Sequence, residues 1–161
     1  QLKAEGFDPN RWVEHAKKLG VDPSNIVVEI TEGMFLDPDE KVLGHLDRFT
    51  ELDMKISLDD FGTGYASVSF LENFSVDVLK LDRAFVNDAE KTPRRRILAE
   101  AIINMAKALE LEVVAEGIET EAQSDWLRAA GCEYGQGYFY SKPLTPGKLL
   151  EQLRERQRSK G

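Results

Sequence analysis

The residues best placed to do chemistry are the adjacent carboxylates Asp59 and Asp60, which close a short apolar run and precede two glycines in Lys55-Ile-Ser-Leu-Asp-Asp-Phe-Gly-Thr-Gly-Tyr65. Neighbouring carboxylates repel, and neither stays ionised and uncompensated in a dry site. The pair therefore requires water, a proton or a cation, and a divalent metal compensates it most strongly. Read as a strand, the segment puts Lys55, Ser57 and Asp59 on one face and Ile56 and Leu58 on the other. Alone, an Asp-Asp pair before a glycine turn is ordinary loop chemistry. Its weight comes from recurrence. Glu29 follows Ile26-Val-Val, Lys80 lies within Val78-Leu-Lys-Leu81, Glu116 follows Glu112-Val-Val-Ala115, and Gln136 lies in Tyr134-Gly-Gln-Gly137.

These groups must be carried by regular elements. Asp8-Pro9 reads as an N-cap with proline at the first helical position, opening a helix whose apolar positions include Trp12, Val13, Ala16 and Leu19 and which Gly20 stops. Ile26 to Ile30 is rich in β-branched residues and reads as a strand. Asp37-Pro38 then opens a helix whose Val42, Leu46, Phe49 and Leu52 form one stripe, followed by a strand from Met54 to Leu58. Ser67 to Phe74 reads as a short helix and Val78 to Leu81 as a strand. Pro93 opens a long helix through Ile97, Ala101, Ile102, Met105 and Leu109. Glu112 to Ala115 is the next strand, Thr120 caps a helix through Trp126 and Leu127 that Gly131 ends, and a last helix follows Pro146.

Strand and helix alternate five times, which calls for an α/β fold with a parallel sheet and helices outside it. Polar groups at the C-terminal ends of all five strands favour a closed (β/α)8 TIM-type barrel, whose active sites are assembled at that end. Such a barrel takes typically about 250 residues. A chain of 161 residues opening on a helix is therefore expected to hold about the last five βα units and to lack the first strands.

Composition narrows the function. A formal net charge of -8 argues against a grip on nucleic acid polymers, which depends on many basic contacts to phosphate. No apolar run approaches the roughly 20 residues of a membrane span and no leader opens the chain, so a soluble, cytoplasmic domain is expected, free or as the cytoplasmic part of a membrane-anchored parent. The single cysteine, Cys132, allows no intramolecular disulfide. His15 and His45 lie within helices with no second ligand at metal spacing. Arg94-Arg-Arg96 sits against the dipole of a helix start, which points to an acidic neighbour or a solvated face.

Five segments, Glu29-Ile-Thr-Glu32, Asp59-Asp-Phe-Gly-Thr-Gly-Tyr65, Val78-Leu-Lys-Leu-Asp-Arg83, Val114-Ala-Glu-Gly-Ile-Glu-Thr120 and Gln136-Gly-Tyr138 with Ser141-Lys-Pro143, stand here in one order. Together they resemble the EAL domains, bacterial phosphodiesterases that hydrolyse cyclic di-GMP to linear pGpG. The resemblance implies that residues 1–161 are the C-terminal two-thirds of a single EAL barrel domain. It implies two ions, Mg2+ or Mn2+, with Glu29 and Asp59 as ligands of the first and Asp59, Asp60 and Glu116 as holders of the second. Lys80 is similar to the lysine that touches the attacking water and the phosphate oxygens, and Gln136 to the glutamine beside that water. Glu32 resembles the acid that shapes the Asp60 to Ser67 loop. Glu119 and Asp60 are similar to acids on the substrate side of the site. A homodimer through the region after the glycine loop and upstream sensor or cyclase domains in the parent chain are further implications.

The family's Glu-x-Leu motif and its Asn-containing strand do not occur in the sequence, and Ala66 and Val68 stand where Ser and Leu are usual. As a bare chain of this length the protein is expected to be a poor catalyst, with two sheet edges unpaired. The competing reading is an inactive cyclic di-GMP receptor or interaction module. Retention of Glu29, Asp59, Asp60, Lys80, Glu116 and Gln136 argues against it. Asp60-Phe-Gly62 is also a triplet of protein kinases, but the chain lacks their His-Arg-Asp catalytic loop. Lys80 as a Schiff-base lysine is disfavoured by the acids around it, which would keep it charged.

Overall fold

Runs of β-branched and apolar residues form the five expected strands, all parallel and in sequential order: β1 (Val27–Thr31), β2 (Lys55–Phe61), β3 (Val78–Leu81), β4 (Glu112–Ala115) and β5 (Tyr134–Gly135). The computed structural model describes residues 2–35, 39–62, 71, 74–89 and 92–158. Its helices are α1 (Pro9–Lys18), α2 (Glu40–Glu51), α3 (Arg83–Ala89), α4 (Pro93–Ala108), α5 (Glu121–Ala129) and α6 (Pro146–Arg158). This is the α/β architecture of a (β/α)8 barrel, represented by five consecutive strands. None of the described helices is long and apolar enough to cross a membrane.

The strands alternate sharply between faces. Ile30, Ile56, Leu58, Leu79, Leu81, Val113 and Ala115 are all nearly inaccessible and pack with Val42, Leu46, Phe49, Phe85, Val86, Ala99 and Ile103 of the helices. The other face carries Ser57 together with Glu29, Lys55, Asp59, Lys80 and Glu112, the charged groups being joined by ion pairs. Side chains two apart on a strand share a face, so the outer face makes the core and the inner face holds the charges.

Local chemistry starts the helices. The Asp8 carboxylate accepts from Asn10 N at 2.9 Å ahead of Pro9, and Thr120 and Gln123 form a reciprocal capping box on α5. Several expectations are displaced. Asp37-Pro38 lies outside the described residues, and α2 starts at Glu40 under an Asp39 cap. Its stripe of Val42, Leu46 and Phe49 is buried as expected. In α1 the buried positions are Pro9, Val13 and Ala16, while Trp12 and Leu19 are mostly exposed, because only one narrow face of a short helix meets α2. The long helix α4 buries Ala99, Ile103 and Ala106 and leaves Ile97 exposed, small residues allowing close approach to the sheet. Helix α3 was not anticipated. It follows Asp82, whose carboxylate accepts from Ala84 N at 2.8 Å, and it buries Phe85, Val86 and Ala89. Most of the segment read as Ser67 to Phe74 lies outside the described residues. Arg95 and Arg96 find aromatic faces, Phe85 and Trp126, and Arg96 also donates to Glu100.

Candidate active site

The site is built from strand ends. Strand β2 does not stop at its acids but runs through them to Phe61, and its pairing with β3 slips there. Leu58 faces Leu79 and Phe61 faces Leu81, so three steps on β2 match two on β3. The extra residue is a β-bulge, and Asp60 sits in it with φ +58°, a left-handed backbone that Asp tolerates better than most residues. Regular alternation would send Asp59 and Asp60 to opposite faces. With the bulge, ligand oxygens of Asp59, Asp60 and Glu116 all lie within 4.8 Å of one another. Asp60 N also donates to Asp59 Oδ1 at 3.0 Å.

Lys80 is the hub. From the middle of β3 its Nζ donates to Glu116 Oε1 at 2.7 Å and to Glu29 Oε1 and Asp59 Oδ1, each at 3.0 Å, joining β1, β2 and the end of β4. Its side chain is only 9% exposed. Burial pulls the ammonium pKa down, but the hydrogen bonds to Glu116, Glu29 and Asp59 outweigh it and hold the group well above its ordinary value. This lysine is charged, which suits contact with an anion and not Schiff-base chemistry. Asp60 behaves oppositely. Desolvation, then the charges of Asp59 and Asp82, push its carboxyl above the ordinary range. A side-chain hydrogen bond with Asp82 adds to the same rise.

Asp82 stands immediately beyond β3, the position in its strand that Glu116 occupies after β4. Sequence reasoning quoted it but gave it no role, although an acid just past an apolar strand was the signal used for Glu116.

Glu32, 4% exposed, starts a 3-10 turn after β1 and accepts from Gly62 N at 3.2 Å, at the beginning of the glycine loop. Gly62 has φ +91° and the Phe85 ring beside it, so a side chain there would meet both backbone strain and a clash. The loop from Thr63 to Phe70 lies outside the described residues. Gln136 is placed by its backbone: its N–H donates to Ala115 O at 2.8 Å and its carbonyl accepts from Ile118 N at 3.1 Å. Gly137 permits this seam, since a Cβ there would fall 2.0 Å from Ile118 O. The Gln136 side chain is exposed. So is that of Glu119, whose backbone N–H is held by Gln123 Oε1 and which no described contact joins to the acid cluster.

Of the residues expected at the site, the structure thus joins Glu29, Asp59, Asp60, Lys80 and Glu116, sets Glu32 behind them, and leaves the Gln136 and Glu119 side chains outside these contacts. The close carboxylates fit a hard divalent cation. They offer several oxygens at short mutual distance, and one of them resists ionisation in the absence of a counter-charge.

A sheet of parallel βα units that gathers acids and one charged lysine at its C-terminal rim defines a barrel of the (β/α)8 type with a cation-ready active-site edge. The EAL domain model matches residues 2–143, and the chain belongs to the EAL domain family. Over 130 residues it is 47% identical to the Escherichia coli (strain K12) protein named "Probable cyclic di-GMP phosphodiesterase PdeB", an alignment covering 81% of this chain but 24% of that protein. The EAL domain of Mycobacterium smegmatis DcpA superimposes with a TM-score of 0.87 at 33% identity, covering 96% of this chain and 69% of the other. Klebsiella pneumoniae BlrP1 in its manganese and cyclic di-GMP complex gives a TM-score of 0.82 at 27% identity, over 88% of this chain and 36% of the other. The chain spans about a quarter of the length of PdeB.

Proposed function

We propose that the domain containing this chain hydrolyses cyclic di-GMP to linear pGpG, using water activated at two divalent ions, Mg2+ or Mn2+, in bacterial second-messenger signalling. One observation carries the reading: Glu29, Asp59 and Glu116, from three strands, converge on one buried ammonium beside Asp60. With Asp82, five carboxylates stand against one lysine. The negative charge that Lys80 does not match is what divalent cations would neutralise. The names of relatives support the same substrate, and BlrP1 holds manganese with cyclic di-GMP.

In this reading Glu29 and Asp59 hold one ion, and Asp59, Asp60 and Glu116 the other. Bound there, the ions would draw the phosphodiester oxygens and make a water acidic enough to attack at neutral pH. Lys80 would donate hydrogen bonds to the phosphate oxygens and to the oxygen of the attacking water, since each carboxylate taken over by a cation frees one of its three N–H donors. Gln136, held beside Glu116 by the β4–β5 seam, orients that water. Glu32 fixes the start of the glycine loop through Gly62. Asp60 and Glu119 face the substrate. Relatives much longer than this chain support upstream sensor or cyclase domains in the parent, a cytoplasmic setting follows from the substrate, and a homodimer through the region after the glycine loop belongs to the same reading.

The test is incubation of the intact protein with cyclic di-GMP and Mg2+, with products resolved by chromatography. Linear pGpG is the expected product. Cyclic dinucleotide left whole by folded protein refutes hydrolysis. Tight binding in Ca2+ without product in Mg2+ would instead identify a receptor.

A further inference from the structure

Among the described residues, one buried side-chain polar atom has no hydrogen-bond partner: the hydroxyl of Ser57. The residue is 1% exposed, so this chain alone covers it. A hydroxyl shut away from both water and protein partners is a net cost, and alanine would fill the same place without that cost. Such a group calls for a use in another state of the protein.

Its position says which. Ser57 lies on the inner face, two residues before Asp59 on β2, and is the register partner of Glu29 on β1. Strands about 4.8 Å apart set the side chains of register partners next to each other on one face. Ser57's other register partner, Val78 on β3, offers no acceptor. Glu29 is thus the register partner that carries an acceptor on this face, and its Oε1 accepts from Lys80 Nζ at 3.0 Å. With Glu29 Oε1 on the ammonium, the Ser57 hydroxyl has no partner.

We infer that Ser57 is a positioning residue for Glu29: when divalent cations replace the Lys80 ammonium among the rim carboxylates, Glu29 accepts a hydrogen bond from Ser57 Oγ, which fixes the orientation in which it meets the ion. The inference rests on the cation-binding reading of the rim. A carboxylate that ligates a metal is itself held by hydrogen bonds, and losing such a support typically costs about 10–100-fold in metal affinity.

The test measures Mn2+-dependent thermal stabilisation and calorimetric Mn2+ binding on the intact protein, comparing wild type with Ser57→Ala, Glu29→Gln and the double variant. Ser57→Ala is expected to melt at or above the wild-type temperature without metal, since it removes an unsatisfied group. It is expected to need about 10-fold more Mn2+ for half-saturation. In the Glu29→Gln background, Ser57→Ala is expected to change the Mn2+ midpoint no further. An unchanged midpoint in Ser57→Ala overturns the inference. So does a clear loss of metal-free stability, which would mean the hydroxyl is already bonded. A further loss of affinity in the double variant overturns the route through Glu29. Wild-type protein that binds no Mn2+ refutes the cation-binding reading itself, and this inference with it.

Discussion

Two lysines on the inner face of this sheet each meet a carboxylate at 2.7 Å, yet the two ends of the face they occupy are unlike. Lys55, at the start of β2, pairs with Glu112 at the start of β4, and both side chains are about two-fifths exposed. The hydrogen bond to Glu112 raises the Lys55 pKa, and Asp77 adds its charge to the same effect, but water screens these exposed groups. Lys80, two-thirds of the way along β3, has the same bond to Glu116, a side chain only 9% exposed, and Glu29 and Asp59 on the same Nζ. Distance is common to both. Crowding and burial differ: at one end a single carboxylate bonds an exposed lysine with Asp77 nearby, at the other three carboxylates bond one buried ammonium. Among the described residues, the acids around Lys80 outnumber it, and this is the end that the proposed function uses.

The comparison breaks most sharply at Lys80. Lys80→Met is expected to lower pGpG formation by about 10²–10³-fold, the range for a positioned donor that stabilises developing anionic charge. It should also lower the metal-free melting temperature, because Glu29, Asp59 and Glu116 lose the ammonium they share, and enlarge the stabilisation given by Mn2+. Turnover within a factor of ten of wild type would show that the hub is structural. Glu32→Ala is next. It removes a buried charged acceptor from Gly62 N–H, and denaturant unfolding is expected to show a loss of about 2 kcal/mol together with reduced turnover. If stability falls and turnover does not, the loop it anchors is not part of the chemistry.

Much of this contrast was legible in the sequence. Period-two alternation put Lys55, Ser57 and Asp59 on one face, and acids following β-branched runs located Glu29 and Glu116. The bulge was not legible. Nothing in Leu58-Asp-Asp-Phe61 distinguishes a strand that ends at its acids from one that slips by a residue, because the slip is decided by pairing with β3, a neighbour 20 residues downstream of Leu58 at its nearest. That slip alone lets two consecutive side chains serve one site. Asp82 was hidden because neither the helix α3 that it caps nor its approach to Asp60 across β2 and β3 shows in local pattern. The Lys55–Glu112 pair lies beyond pattern reading, since it spans β3 and depends on the register of three strands.

Two smaller effects sharpen the same contrast. Asp60 has a raised pKa in the folded state, so its contribution to stability is present below its unfolded value near 3.8 and is lost as pH rises through the folded value. At neutral pH without metal, its ionised form is a liability. Asp60→Asn is therefore expected to melt higher than wild type in chelator at pH 7. The advantage should shrink as pH falls below the carboxylate range, and Mn2+ should stabilise the variant less than wild type. A variant that melts lower at pH 7 would mean that Asp60 already has its counter-charge.

Lys55→Ala is expected to do least. Opposite charges in an exposed pair gain little over their separate hydration, and salt screens what remains. Turnover and the Mn2+ midpoint should stay at wild-type values, and any change in melting temperature should vanish as salt is raised from 50 to about 500 mM, where the screening length falls to a few ångströms. If Lys55→Ala instead shifted the Mn2+ midpoint, charge at the far end of the sheet would be felt at the rim through the inner face. The surplus there would then be a property of the whole face and not of the groups around Lys80.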